Sequence, residues 1–324
     1  MSKKNLATFI IPAYNSEGTI TKCLESIFKQ DYSNMDIDFE IVVVNNNSAD
    51  KTAEIVMNYP VKLITERKQS PAAARNAGLK EAQGNYIAFV DADIILPANW
   101  LKKMICLLSS SPDIGAVEGI SKSINCNYIG RLIHLTFCGL DVNKIRIRDV
   151  DCLTTRNVLL RRSTINDMEF DEQLMTEEDV DFFFKLRNKG FRLLVVGDPY
   201  VYHHNLCNLK DVLKKWFYYG EWYPTPYLRY KNMRTIYFWG RLFYLPILLF
   251  MLFLSLCIPA LLMTATFIFL GIPIAYFLCG LRIGLWSKPL DLFLFCFIYS
   301  LKEWARLIGI WFGFLKRLLK NSRR

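Results

Sequence analysis

The sequence predicts an α/β fold: a mostly parallel, doubly wound sheet with flanking helices, followed by membrane-seeking helices. Three observations carry that expectation. Strand and helix patterns alternate through the first part of the chain. Polar side chains gather where apolar strands run out, in "VNNNS" and "VDAD". From Leu242 to Leu281 the chain has no charged residue.

The elements follow in order. "ATFIIP" reads as a strand. "GTITKCLESIFKQ" sets Ile20, Cys23, Leu24, Ile27 and Phe28 on one helical face. "FEIVVVNN" is continuously apolar, as a strand buried on both faces would be. "SADKTAEIVMNY" opens with an N-cap candidate, Ser48 or Asp50. "VKLIT" is a third strand, "PAAARNAGLKEAQG" a helix closed by Gly84, and "YIAFV" a fourth strand. This spacing implies βαβ units, whose sheets bind ligands at the carboxyl ends of their strands.

At 324 residues the chain can bury a full core, in one large domain or two. A net charge of +10 points to anionic partners. None of the nine cysteines is paired at CxxC spacing, which argues against zinc-ribbon and thioredoxin-type sites. Free thiols suit a reducing compartment. The opening "MSKKNLATFIIPAYN" has no signal-peptide pattern.

The charge-free run is about two bilayer spans long. A turn near "MTAT" would make a transmembrane hairpin with both ends on one side. The last segment places Lys302, Glu303 and Arg306 in mid-run, where a true span would put them near the hydrocarbon core. That favours an interfacial or re-entrant helix pair with the basic tail "KRLLKNSRR" on the cytoplasmic side. "LKDVLKKWFYYGEWYPTPYLRY" reads as an interfacial helix with Trp216 and Trp222 at headgroup level. Basic and aromatic residues together also suit nucleic acid. Beside so apolar a run, membrane lipid is the simpler partner, and no nucleic acid is expected. The expected organisation is a catalytic domain over 1–207, interfacial helices over 208–240, a transmembrane hairpin over 241–282, and amphipathic or re-entrant helices over 283–324.

Asp91 and Asp93 flank one small residue at the end of the fourth strand. Two acids this close repel unless a cation, a basic side chain or solvent separates them. Five stretches, in order, decide the chemistry to expect: "FIIPAYNSEGTI", "VVVNNNSADKT", "SPAAARNAGL", "FVDADIILP" and "FDEQLMTEEDVDFFFKLRNKGFRLLVVGDPYVYHH". Together they resemble the catalytic domain of glycosyltransferase family 2, the inverting nucleotide-sugar transferases of GT-A fold. The resemblance covers residue 8 to about 205.

The resemblance implies roles. Pro12, Ala13, Tyr14, Asn15, Glu17, Asn45, Arg75, Asp91 and Ala92 would line the donor site. Asp91, Asp93 and His203 would hold a divalent metal, Mg²⁺ or Mn²⁺. Asp179 would be the general base beside Glu178, while Thr155, Asn157 and Glu177 would face the acceptor. Asn45 departs from the family pattern, which has Asp there to accept from a uracil N3–H. An amide can accept through its oxygen and donate through its NH₂. A uridine donor stays the first expectation, with the base open.

The implied activity is inverting transfer from a nucleotide-diphosphate sugar to a hydroxyl of a membrane-bound, lipid-linked acceptor, at the cytoplasmic face of an inner membrane. Two alternatives stay open. One is a polyprenyl-phosphate glycosyltransferase resembling dolichol-phosphate mannose synthases, whose ionised acceptor needs no base. The other is a non-catalytic sugar-nucleotide-binding membrane protein.

Overall fold

The computed structural model describes residues 5–32, 36–124, 128–135, 146–204, 208–230, 236–256, 258, 260–282 and 289–321. Its packing divides into two compact units. The first is Met1–Asn125 with Val142–His204, the second Cys126–Asp141 with Asn205–Arg324.

The first unit begins as its alternating pattern dictates: β1 (Asn5–Ala13), α1 (Ile20–Phe28), β2 (Ile37–Asn45), α2 (Thr52–Val56), β3 (Lys62–Thr65), α3 (Pro71–Glu81) and β4 (Tyr86–Val90). β5 (Ile94–Ile95), α4 (Trp100–Ser109) and β6 (Ile114–Ser123) follow. The chain then leaves through α5 (Tyr128–Leu135), which belongs to the second unit, and returns. The unit closes with β7 (Ile147–Val150), β8 (Asn157–Arg161), α6 (Glu178–Asn188) and β9 (Arg192–His203).

The strand order is β3-β2-β1-β4-β8-β6-β9-β5, with β7 also on β9. The sheet is mixed rather than mostly parallel. β3, β2, β1 and β4 run parallel, and β6 runs parallel to β9. β8 enters antiparallel between β4 and β6, and β5 and β7 pair antiparallel with β9. The local pattern of β8 cannot specify this, because pairing direction depends on the route of the excursion between β6 and β8.

Successive residues of β1 serve opposite layers. Phe9 and Ile11 pack with α1 and α4, whereas Ile10 packs with α3 and α6. A strand buried on both faces has to be continuously apolar, as "FII" and "IVVV" are.

Two expected helix boundaries differ. Lys51 holds the N-cap position of α2; Asp50, one residue earlier, accepts from the Thr52 backbone N–H at 3.0 Å. Gly84 does not close α3, since Ala82 is already extended at its C-cap. Gly84 is small for another reason: a Cβ there would stand 2.7 Å from Leu6 O and Thr8 N of β1.

In the second unit, Leu132 and Ile133 of α5 are buried with Val212 and Ile298. α7 (Leu209–Trp222), α8 (Pro224–Arg229), α9 (Ile236–Leu254), α10 (Ala260–Arg282) and α11 (Pro289–Asn321) complete the unit. "MTAT" lies inside α10, and the helix break falls earlier, between Leu254 and Ala260, in the "SLCIP" stretch. Leu261–Leu281, with a mean hydropathy of 2.1, is long and apolar enough to cross a membrane by length and composition. Phe238–Leu254 is a shorter apolar stretch. The final segment is one helix of 33 residues rather than a pair. Its mid-run charges do not interrupt it, because Lys302 and Glu303 are buried against neighbouring groups.

Candidate active site

Two loops meet at the carboxyl ends of β1 and β2. Ala13 and Asn45 are register partners at the ends of these strands. The Asn15 backbone N–H donates to Ser48 Oγ at 3.1 Å, and Asn15 Oδ1 accepts from Ala49 N–H at 2.9 Å. Glu17 N–H donates to Asp50 Oδ2 at 3.0 Å, and Glu17 Oε2 accepts from Lys51 N–H at 3.1 Å. Asn15 and Glu17, expected at the donor, thus fasten the two loops together. Tyr14 between them is half exposed, and Pro12 is half-buried within β1.

The three asparagines of "VNNNS" divide the work. Asn45 is nearly buried and accepts from Ser48 N–H at 3.1 Å. Asn46 accepts from Ser70 N–H and donates to Glu66 O and Lys68 O, tying β2 to the approach to α3. Asn47 adopts a left-handed φ of 61°.

The acid pair sits where β4 ends. Asp91 N–H donates to Arg156 O at 3.0 Å. Asp91 Oδ1 accepts from Arg75 at 3.4 Å, and Ala92 between the two acids is buried. Asp93 is reached from β9. Ile94 of β5 pairs with His203 of β9, so His203 Nε2 stands 3.1 Å from Asp93 Oδ2. Cys23 lies behind this turn, fully buried, with its Sγ donating to Asp91 O at 3.6 Å. Burial, with help from Asp93 and Asp91, pushes its thiol pKa well up.

Arg75 joins the two acidic motifs. From α3 it donates to Glu178 Oε1 at 2.6 Å and to Asp91 Oδ1 at 3.4 Å, and it lies 5.7 Å from the centre of the Phe170 ring. Burial opposes its charge, but Glu178, Asp91 and Asp179 more than offset this, and its pKa is raised. Burial also raises the carboxyl pKa of Glu178 and of Asp179, against the pull of Arg75. Asp179 Oδ1 accepts from Val180 N–H at 2.8 Å. Glu177, just before α6, has φ +64°, a left-handed conformation that costs a non-glycine residue energy.

Thr155 and Asn157, expected to face the acceptor, are buried. Asn157 Oδ1 accepts from Trp100 Nε1–H and Gly119 N–H, and its Nδ2 donates to Gly119 O. The alternate residues, Thr154 and Arg156, meet Glu118. Glu118 accepts from Thr154 N–H at 2.8 Å and from its hydroxyl, and Arg156 lies 3.7 Å away. Arg156 also lowers the Asp179 pKa. A period of two along an extended stretch separates the buried pair from the pair that meets Glu118. Glu118 and Arg156 carried no motif of their own; only that alternation could have pointed to them.

Two carboxylates and one imidazole form a donor set that suits Mg²⁺ or Mn²⁺. Among the described residues, no three His, Cys, Asp or Glu side chains stand as a closed metal cluster. Asp93 and His203, 3.1 Å apart, are the two of these groups that stand together. That pair would fit a cation of the kind that binds one or two carboxylates and takes its other ligands from phosphates and water.

The mixed α/β sheet gathers acids and amides at its strand ends, with Arg75 of α3 beside them, where open sheets of this class bind ligands. The family model "Glycosyl transferase family 2" matches residues 8–169, half of the chain, and the chain belongs to that family. It is 30% identical over 204 residues to the poly(ribitol-phosphate) β-N-acetylglucosaminyltransferase TarS of Staphylococcus aureus, covering 60% of this chain and 34% of TarS. It is 34% identical over 173 residues to the UDP-Glc:α-D-GlcNAc-diphosphoundecaprenol β-1,3-glucosyltransferase WfgD of Escherichia coli, covering 51% of this chain and 64% of WfgD. The match thus spans about a third of TarS and less than two thirds of WfgD.

Among solved structures, TarS 1–349 in complex with UDP superposes with a TM-score of 0.50 at 25% identity, over 68% of this chain and 65% of that one. The mannosyltransferase PcManGT of Pyrobaculum calidifontis, with GDP-Man and Mn²⁺, superposes with a TM-score of 0.60. It covers 97% of this chain and 88% of that one at 18% identity, a likeness of fold alone.

Proposed function

We propose that the chain is an inverting, divalent-cation-dependent glycosyltransferase. It moves a sugar from a nucleotide-diphosphate donor, UDP-linked by first preference, to a hydroxyl of a membrane-bound, lipid-linked acceptor in surface-glycan synthesis. The catalytic unit works at the cytoplasmic side of the inner membrane, and the apolar helices of the second unit anchor it. The observation that carries the reading is the Arg75 bridge, which brings Asp91 and Glu178 to one guanidinium. The activities of TarS and WfgD, one on a polyol-phosphate polymer and one on a diphosphoundecaprenol-linked sugar, support the donor and acceptor classes.

Asp179 takes the proton from the acceptor hydroxyl as that oxygen attacks the anomeric carbon. The bond from that carbon to the diphosphate oxygen breaks on the opposite face, which inverts the configuration. Asp91, Asp93 and His203 would hold the cation, which neutralises charge on the departing diphosphate. Arg75 keeps Glu178 and Asp91 in place and adds positive charge at the same point. Tyr14, exposed at the end of β1, is placed to meet the base. The presence of Asp179 favours a hydroxyl acceptor over a phosphate one, since a phosphate arrives ionised.

The test uses detergent-solubilised full chain with Mn²⁺ or Mg²⁺ and a panel of UDP-, GDP-, dTDP- and CMP-sugars. One donor class should raise the melting temperature and be hydrolysed slowly, with both effects lost in Asp93→Ala. Asp179→Asn should keep the thermal shift and lose about 10²- to 10⁴-fold in turnover. Near-normal turnover in Asp179→Asn would remove the base assignment, and the absence of any shift in folded protein would favour a non-catalytic role.

A further inference from the structure

β6 changes character along its length. Ala116 and Val117 enter the two apolar layers, Ala116 on the α6 side and Val117 on the α4 side. Glu118 pairs with Val195 of β9, which packs on the α6 side as well. Beyond Gly119 the register shifts, and Ser121 pairs with Val201, a residue of the α4 layer. Lys122 and its partner Tyr202 therefore turn to the α6 side, as Glu118 does. There Lys122, Tyr200 and Tyr202 are half-buried.

These three side chains form one group. Lys122 Nζ lies 3.6 Å from the centre of the Tyr200 ring. The Tyr200 and Tyr202 rings meet edge to face at 5.4 Å, and their hydroxyl oxygens are 3.4 Å apart. Among the described residues, Lys122 meets no carboxylate. An ammonium carries three donors, and an aromatic face engages only one side of it. A half-buried cation beside two hydroxyls suits a cluster of anionic oxygens, which a phosphate supplies.

The same strand face leads to the base. Glu118 accepts from Thr154 N–H at 2.8 Å and lies 3.7 Å from Arg156. Burial raises its carboxyl pKa, and the charge of Asp179 adds to this, so the two acids are neighbours. Lys122 stands four residues further along β6, about 13 Å at a strand's rise. The donor diphosphate has cations of its own, in Arg75 and in the metal that Asp91, Asp93 and His203 would hold. An acceptor with its hydroxyl at Asp179 would extend along β6 toward Lys122.

We infer that Lys122, Tyr200 and Tyr202 form a phosphate cradle on the acceptor side, so that the acceptor carries a phosphate or diphosphate beside the group that receives the new bond. The inference deepens the function proposed above and rests on it. Two carriers share this chemistry, a lipid diphosphate and a polyol phosphate.

The test titrates the detergent-solubilised full chain by calorimetry with glycerol 3-phosphate and with geranyl diphosphate, and with neutral glycerol and geraniol beside them. EDTA is present, so that no phosphate is held through a divalent cation. Lys122→Ala and Lys122→Arg are compared with the parent once a thermal melt confirms the fold of each, and Lys122→Gln replaces Lys122→Ala if that variant fails to fold. At least one phosphate-bearing probe should bind the parent about tenfold more tightly than its neutral counterpart. Lys122→Ala should lose that preference and Lys122→Arg should keep it. The probe that shows the preference names the carrier. With Mn²⁺ and the nucleotide sugar selected by the donor panel, Lys122→Ala should bind donor as the parent does.

Equal binding of charged and neutral probes, or a preference that survives Lys122→Ala, would overturn the inference and leave an ordinary contact between a lysine and a ring. A loss of donor affinity in Lys122→Ala would overturn it in favour of the donor's own diphosphate. The first titration needs neither donor nor turnover. A chain that shows the preference yet hydrolyses no donor would therefore refute the chemistry and leave the cradle standing.

Discussion

At the residue scale, the site is governed by two arginines that stabilise buried acids. Arg75 touches its partners directly, whereas Arg156 acts on Asp179 through charge. Burial raises the Asp179 pKa above the ordinary 3.8, and both cations hold it down. A base is active when deprotonated, so a higher pKa means that activity fails at a higher pH as the solution is acidified. Arg156→Ala should therefore move the acidic limb of the pH–rate profile for donor hydrolysis upward, and Arg156→Lys should restore it. An unmoved limb in Arg156→Ala would show that the cation does not act on the base. Glu177 makes a different prediction. Its φ of +64° suits glycine. Glu177→Gly should raise unfolding stability by about 1 kcal/mol in a urea titration, the rough cost of a left-handed residue.

At the element scale, the contact between α7 and α11 depends on absent side chains. Phe217 O leaves no room for a Cβ on Gly309. Gly309→Leu should separate the two helices and cost about 3 kcal/mol or more, seen as an early loss of helical circular dichroism on heating. Donor binding, measured by thermal shift, should persist if the first unit folds without the pair. The sequence showed α11 as an apolar segment with troublesome charges. It did not show the glycine contact, because backbone proximity between distant segments leaves no periodic trace in either of them.

At the scale of the whole molecule, legibility followed locality. β1 to β4 and α1 to α3 could be read because alternation and helical spacing are short-range and both sheet faces are buried. The resemblance assigned Arg75 and Asp91 to the donor side and Glu178 with Asp179 to the base; the structure sets Arg75 3.4 Å from Asp91 and 2.6 Å from Glu178, a contact that the motifs did not announce. Less was legible wherever long-range pairing decides. β8 turns the sheet antiparallel, α5 packs on Val212 and Ile298, and Thr155 and Asn157 are buried.

The thiol behind the acid turn has a practical consequence. Cys23 is sealed from solvent and its thiolate is disfavoured, whereas Cys106 on α4 is exposed. Among the described thiols, a maleimide should reach Cys106 first in native protein and Cys23 only after unfolding, as peptide mass mapping would show. The chain thus carries both an attachment point for a reporter dye and an internal gauge of whether the ground beneath the Asp91–Asp93 turn is still folded.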